Sequence, residues 1–505
     1  MTLVDLVSDR EAILVRAEER RERMSVALDE SNRSGLGQFF TPSEIATLMA
    51  NMIEPVPGGS LRILDPGAGS GALTSALVSA ICEWPAPPAQ LDVTAIDIDP
   101  CLEPALQETL ADCESLCAER GIAFGGAIQI GDFLKSTALE TGSDESGGFD
   151  LAILNPPYRK IRSDSDARAW ARAFGAEVPN LYAAFLAGAL VSLAQGGQMV
   201  AITPRSFTNG TYFRRFRRFL LGRAAIEKLH VFDSRDLAFR DDGVLQENLV
   251  MHLARRHSEN QDRVLVSASH GPRGGVRTRT VARSAVVDID DSEAFIRLPV
   301  DQDHAEIAGV MAGLPARLGD LSVAVSTGPV VDFRLRDHLR RKAGTDDAVP
   351  LLYPASVRAS EVTWPTNGTR KPCAISRAAR NWLVPDGNYV LVRRLTAKEE
   401  NRRVVAALLH EGQLGFDELG LENHLNYLHA NGAGLDHRLG EGLTKYLNSS
   451  FVDRYIRLFS GHTQINASDL RALRYPSAAQ LHQLATAAPD SDTDALIAAF
   501  SKPKA

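Results

Sequence analysis

Short apolar runs recur through the first half of the chain, and each is closed by glycine, proline or an acidic or amide residue. Leu61-Arg62-Ile63-Leu64, Leu91 to Ile96 and Phe149-Asp150-Leu151-Ala152-Ile153-Leu154 are the plainest and read as buried strands. Segments of helical character lie between them, such as Ala72 to Val78 directly after the first run. Strand and helix alternate in this way to about residue 255, the pattern of a doubly wound α/β sheet. Leu181 to Ala194 is the longest apolar stretch; it is too short to span a membrane and predicts a core helix. Residues 1–30 are polar with Ala12, Leu14, Val15 and Met24 at helical spacing, which predicts a helix, then a loop from Ser31 to Gly37 and a second helix from Ser43. Gly142 to Gly148 reads as a polar loop, and Arg159 to Val178 as a charged, irregular, mobile segment. From about Leu318 the pattern changes to short strands and turns, then helices. These shifts divide the chain into an N-terminal helical segment (1–37), an α/β domain (38–310) and a mixed α+β domain (311–505).

The strand ends carry the chemistry. Asp65-Pro66-Gly67-Ala68-Gly69-Ser70-Gly71 joins the first strand to its helix, and its glycines permit positive φ and close backbone approach to a ligand. Phosphate would sit at such a helix N-terminus, but Asp65 occupies the strand end. Asp97 and Asp99 close the second strand, where a carboxylate can accept from ribose hydroxyls, and Asp132 stands in a third strand-end loop. Three acids on successive strand ends disfavour a phosphate ligand and favour S-adenosyl-L-methionine, which carries an adenosine, an ammonium and a sulfonium.

Asn155-Pro156-Pro157-Tyr158 follows the strand at Phe149–Leu154. The prolines fix φ and remove two backbone donors, leaving carbonyls and the Asn amide oxygen as acceptors beside an aromatic plate. Such a loop suits a planar group bearing an NH₂: the exocyclic amine of adenine or cytosine, or a glutamine amide.

Together these motifs resemble the adenine-N6 DNA methyltransferases. Gly37-Gln38-Phe39-Phe40-Thr41-Pro42, upstream of the glycine loop, is similar to the gamma-ordered, TaqI-like branch. Gly196 to Phe207, Val244 to Val250 and Ser460 to Asn466 extend the match, and motif order and length resemble the PstI/BsuBI subgroup of type II restriction-modification methyltransferases. The resemblance implies a Rossmann-like class I methyltransferase sheet followed by a DNA target-recognition domain. It places Asp65 at the methionine end of S-adenosyl-L-methionine, Asp97 (with Asp99 as substitute) at the ribose, and Asp132 and Phe133 at the adenine. Gly67, Gly69 and Gly71 form the cofactor loop, and Phe39, Phe40, Thr41 and Pro42 fold over the methionine. The Asn155 oxygen and Pro156 carbonyl would accept the two hydrogens of the target amine, with Pro157 shaping the loop. The base must leave the duplex to reach such a pocket, stacking on Tyr158 and on Phe239. Any single acid here serves equally well as a helix cap, and Phe239 as a core residue.

Charge refines the partner. The net charge is −8, yet residues 331–403 hold 15 Lys/Arg against 8 Asp/Glu, a local +7. Arg214, Arg215, Arg217 and Arg218 form a second basic cluster. Phosphate contacts need local fields of this kind, not a basic protein. Double-stranded DNA is the expected partner, with Arg214, Arg215, Gln464 and Asn466 as DNA-binding residues. Gln464 and Asn466, with His424, Asn426, Asn431, His437, His462 and Thr463, offer polar groups for bases or phosphates, and for each a turn or surface role is the commoner one. No signal peptide or membrane span is visible. The five cysteines are scattered, which fits a reducing cytoplasm, and Cys113 and Cys117 lack the partner pair a metal site needs. No nuclease carboxylate cluster is seen, so a restriction endonuclease partner would be a separate chain. The competing readings are a methyltransferase acting on RNA or a protein glutamine amide, and a catalytically inactive DNA-binding specificity protein.

Overall fold

The apolar runs of the first half form one nine-stranded sheet. The computed structural model describes residues 9–27, 40–140, 148–232, 248–256, 263–271, 274–288, 291–344, 347–358, 360–366, 371–396, 402–459, 464–488 and 491–501. Two compact units divide it, residues 1–286 and 287–505.

In the first unit, helix α1 (Asp9–Ala27) and helix α2 (Ser43–Ala50) precede strand β1 (Ser60–Pro66), helix α3 (Ala72–Cys82), strand β2 (Gln90–Asp97), helix α4 (Glu103–Glu119), strand β3 (Ala123–Ile130) and helix α5 (Phe133–Glu140). Strand β4 (Phe149–Leu154), helix α6 (Asp166–Ala173), helix α7 (Leu181–Ser192), strand β5 (Leu193–Pro204) and helix α8 (Arg214–Leu221) follow. Strands β6 (Ala225–Phe232), β7 (Asn248–Ala254), β8 (Arg263–Ser269) and β9 (Arg277–Ala282) complete the sheet. The strand order is β3-β2-β1-β4-β5-β7-β6-β8-β9. Strands β1 to β5 pair in parallel, and β7 runs antiparallel between β5 and β6. This is a Rossmann-like, mostly parallel sheet, extended at one edge by β8 and β9.

The order has a functional consequence. The chain moves outward from β1 to β3, then returns to place β4 on the other side of β1. Ligands of parallel α/β sheets bind at the carboxyl ends of the strands, where the order reverses. The ends of β3, β2, β1 and β4 therefore lie side by side, and they carry Asp132, Asp97, Asp65 and Asn155. Ile63, Val93, Leu151 and Ile153 are fully or almost fully buried, which fixes the sheet beneath them. Helix α1 is built into this unit: Ile13 packs in the core cluster, and Arg16 and Arg20 pair with Asp112 of α4.

The second unit is mixed α+β. One antiparallel sheet runs Ala324–Thr327, Leu425–His429, Tyr389–Arg393, Ala406–Leu409. A five-stranded sheet runs Leu339–Arg340, Ala374–Ser376, Ala348–Leu352, Glu418–Leu421, Leu383–Pro385, and helices follow from His437 onward. The division at 286/287 lies before the 310/311 boundary that the pattern predicts, and the contacts explain it. Asp288 accepts from Arg317 and Arg474, Arg297 pairs with Asp291 at 3.1 Å, and Ala316 bridges to Tyr475. Residues 287–318 are thereby tied to the far end of the chain. Among the described residues no helix is long and apolar enough to cross a membrane.

Candidate active site

A cavity of about 340 Å³ opens at the carboxyl ends of β1 to β4, within the usual range of roughly 300–1,000 Å³ for small-molecule sites. Its lining includes Phe40, Gly67, Gly69, Asp97, Asp132, Phe133, Asn155 and Pro157. Two motifs far apart in sequence, the glycine loop and the Asn-Pro-Pro-Tyr loop, thus share one space.

The loop geometry shows why these residue types are needed. Gly69 has φ +58°, and a Cβ there would come within 3.2 Å of the Phe40 ring. Gly71 has φ +80°, and a Cβ would sit 2.6 Å from Thr109, whose hydroxyl donates to the Ser70 carbonyl at 2.9 Å. The Gly69 N–H donates to Asp97 Oδ2 at 2.9 Å, and the Asp99 N–H to Asp97 Oδ1 at 3.0 Å. Burial raises the Asp97 pKa, with the N–H groups of Asp99 and Gly69 acting against it. Asp99 caps the turn at Pro100–Leu102 by accepting from the Cys101 N–H.

Asp65 takes a different place from the one expected. Its side chain is fully buried, accepts from the Thr74 hydroxyl at 2.7 Å and does not line the cavity. Burial pushes its pKa up to about 7; the Thr74 hydrogen bond opposes this and the Asp97 charge adds to it. Asp65 thus ties the end of β1 to α3. Asp132 does line the cavity, and its Oδ1 also accepts from the Leu134 N–H at 2.9 Å at the start of α5. Phe133 is buried against Phe185, with ring centroids 5.3 Å apart.

At the end of β4, Asn155 Nδ2 donates to Thr41 Oγ1 at 3.0 Å. Pro156 is buried and Pro157 lines the cavity. Tyr158 is half-buried; its hydroxyl donates to the Ile202 carbonyl at 3.3 Å and its ring meets Tyr182 edge-on at 6.2 Å. Phe39 and Phe239, with Gly37, Gln38, Val244 to Glu247 and Ser460 to Thr463, lie outside the described residues.

Helix α6 is what the sequence reading missed. Arg159 to Val178 is not irregular throughout: Asp166–Ala173 is helical, and Ser165, Asp166, Ala167 and Trp170 line the cavity beside Arg159 and Ile161. The signal was present. Ala167, Trp170, Ala171 and Phe174 follow a helical 3–4 spacing, and Ala171 and Phe174 are buried.

The polar groups assigned to DNA separate into exposed and structural ones. Arg214, Arg215 and Arg218 are exposed, whereas Arg217 is fully buried and donates to the carbonyls of Phe207 (2.8 Å) and Gly210 (2.7 Å). Arg217 therefore belongs to the fold, not to the surface cluster. Asn466 caps Ala467–Arg471 and accepts from Arg394 at 3.2 Å. Gln464 bridges to Leu395 through its backbone. Asn426 is buried and donates to the Ile465 carbonyl, and His424 hydrogen-bonds Glu422 at 2.6 Å.

The family model of the Eco57I restriction-modification methylase matches residues 119–239. The type II methyltransferase M.PstI of Providencia stuartii is 39% identical over 468 residues, 92% of this chain and 92% of that protein. M.BsuBI of Bacillus subtilis, also a type II methyltransferase, is 39% identical over 465 residues, 90% of this chain and 91% of its own length. Among solved structures, the type IIL restriction-modification enzyme MmeI in complex with DNA aligns with 88% of this chain and 68% of its own, at 12% identity and a TM-score of 0.45.

Proposed function

This chain belongs to the type II methyltransferases of restriction-modification systems, and from that premise we propose that it methylates the N6 amine of an adenine flipped out of duplex DNA. The observation that carries this reading is the shared cavity, in which Asn155 and Pro157 stand beside Gly67, Gly69, Asp97 and Asp132. The lining suits S-adenosyl-L-methionine: glycines where side chains would fill the space, acids for hydroxyl and amine donors, and Phe133 for an aromatic ring. When bound, that cofactor supplies an electrophilic methyl group. Phe40, the glycine loop and Trp170 of α6 would hold it. Asp97 would accept from the ribose hydroxyls and Asp132 from the adenine amine.

Adenine N6 is a weak nucleophile because its lone pair is delocalised into the ring. The Asn155 oxygen and the Pro156 carbonyl would accept its two N–H bonds and aim the lone pair. Tyr158 would present its ring to the base. Orientation of this kind contributes on the order of 7–11 kcal/mol in favourable cases, so no strong base is required. The exposed Arg214 and Arg215 and the basic stretch 331–403 within the second unit would supply phosphate contacts, with the second unit selecting the sequence. A restriction endonuclease of matching specificity would be a separate chain.

Sequencing that reports modified bases, on DNA from cells expressing the protein, tests this directly. N6-methyladenine at one defined sequence is expected, with none for Asn155→Ala. Calorimetry should show that variant still binding S-adenosylhomocysteine. N4-methylcytosine in place of N6-methyladenine would change the target base, and methylated protein without methylated DNA would overturn the reading.

A further inference from the structure

We propose that Thr41 is a positioning residue for the amine-binding loop, acting through Asn155. This rests on the methyl-transfer reading of the same site. The family resemblance places Thr41 over the cofactor; the structure assigns its hydroxyl another partner. Asn155 Nδ2 donates to Thr41 Oγ1 at 3.0 Å, and Thr41 is only 6% exposed. Thr41 is not among the residues lining the cavity, whereas its neighbour Phe40 is.

The chemistry of an amide makes that partner consequential. Asparagine carries a donor and an acceptor of nearly the same size on one planar group. The target amine has two hydrogens to donate, so it needs the acceptor end. Once the Asn155 oxygen takes one of them, the nitrogen needs an acceptor of its own in a site shielded from water. Thr41 Oγ1 is that acceptor. Without it, the amide nitrogen loses this hydrogen bond while the oxygen takes the amine, or the amide turns and sets donor against donor. Both outcomes penalise the reactive arrangement without touching the cofactor.

Thr41 is itself fixed from the N-terminal side. Pro42, with φ −58°, precedes helix α2, and its carbonyl accepts from the Ala46 N–H at 3.0 Å. The Ser43 N–H donates to Glu18 Oε2 on α1 at 2.8 Å, and Arg21 holds Glu18 Oε1. A chain of bonds thus runs from α1 through the Thr41 segment to the end of β4. Helix α1 buttresses a site to which it contributes no lining residue.

A pair of variants separates positioning from packing. Thr41→Val keeps the shape and loses the acceptor; Thr41→Ser keeps the hydroxyl and loses a methyl group. Single-turnover methylation of duplex DNA, calorimetry with S-adenosylhomocysteine and thermal unfolding are measured on both full-length proteins. Thr41→Val is expected to lower the transfer rate on the order of tenfold, the effect of one buried hydrogen bond, with cofactor affinity unchanged and the unfolding temperature within a few degrees of wild type. Thr41→Ser should stay within about twofold of wild type. A Ser variant impaired more than the Val variant means packing and overturns the proposal. So does a matching loss of cofactor affinity in Thr41→Val, which makes Thr41 a cofactor ligand. If the wild type transfers no methyl group to DNA, the function reading falls and takes this proposal with it. An active wild type with an equally active Val variant overturns this proposal alone.

Discussion

The Gly69 N–H donates to the Asp97 carboxylate across 2.9 Å, so the glycine loop after β1 is tied to the acid that ends β2. Asp97 therefore has two tasks in the proposed site: accepting from the ribose and holding the loop that borders the cofactor. Asp97→Ala should weaken S-adenosylhomocysteine binding roughly ten- to a hundredfold, the range of one or two charge-assisted hydrogen bonds, with duplex DNA affinity little changed. Asp99→Ala should have a small effect, because Asp99 caps its own turn. Calorimetry on both variants decides it; the reverse ranking would assign the ribose to Asp99.

Asp65 links the same loop to pH. Its carboxyl is fully buried and titrates at about 7, against a usual value of 3.8, because burial disfavours the charged form. The folded state then binds this proton more tightly than the unfolded state. The stability it contributes is complete below about pH 4 and is lost as pH rises towards 7. Asp65→Asn removes the titration. Between pH 5 and pH 8 the wild type should lose on the order of 2–3 kcal/mol relative to that variant, read from urea unfolding of each. Parallel pH dependences would mean that Asp65 stays ionised in the fold.

Local motifs were legible in the sequence because they are short and chemically peculiar. The strand at Phe149–Leu154 and the loop at Asn155–Tyr158 could be read residue by residue, as could the glycine turn. What the sequence withheld was direction. An acid at a strand end looks the same whether it faces a cavity, as Asp132 does, or a buried hydroxyl, as Asp65 does. Asn426 and Asn466 look like base-reading groups until the Ile465 carbonyl and Thr327 hydroxyl bonded to one and the capping role of the other are seen. Helix α6 was hidden by its charge, although its apolar positions keep helical phase. The second unit was blurred because its strands are two to five residues long, too short for a periodic signal, and its opening segment pairs with residues near the far end.

Four arginines within five residues make two opposite predictions. Arg217→Ala removes a buried guanidinium that holds two carbonyls, and should cost roughly 2–4 kcal/mol of stability in thermal or urea unfolding. Arg214→Ala and Arg215→Ala alter exposed side chains and should leave stability within about 0.5 kcal/mol of wild type. If they contact phosphates, each should weaken DNA binding across all sequences and reduce the slope of log affinity against log salt by about one. An unchanged slope in both would place the DNA path elsewhere on the molecule.

Recognition and catalysis should separate at Val286/Val287 and not at the later boundary that the sequence pattern suggests. A cut at about residue 318 strands the segment from Val287 onward, including the buried Arg297–Asp291 pair and the Asp288 carboxylate that Arg317 and Arg474 share. Arg474 would be lost while Asp288 remained, leaving a partly buried acid short of a partner. A fragment ending at Val286 retains every element of the nine-stranded sheet and all the residues lining the cavity. It should fold by circular dichroism and bind S-adenosylhomocysteine within about tenfold of the full chain, whereas the fragment ending at residue 318 should be the less soluble of the two. Sequence-specific DNA binding should be lost from both, with weak, salt-sensitive binding left to Arg214 and Arg215. A folded 1–286 fragment that still methylates one defined sequence would place recognition in the catalytic unit and remove the role proposed for the second.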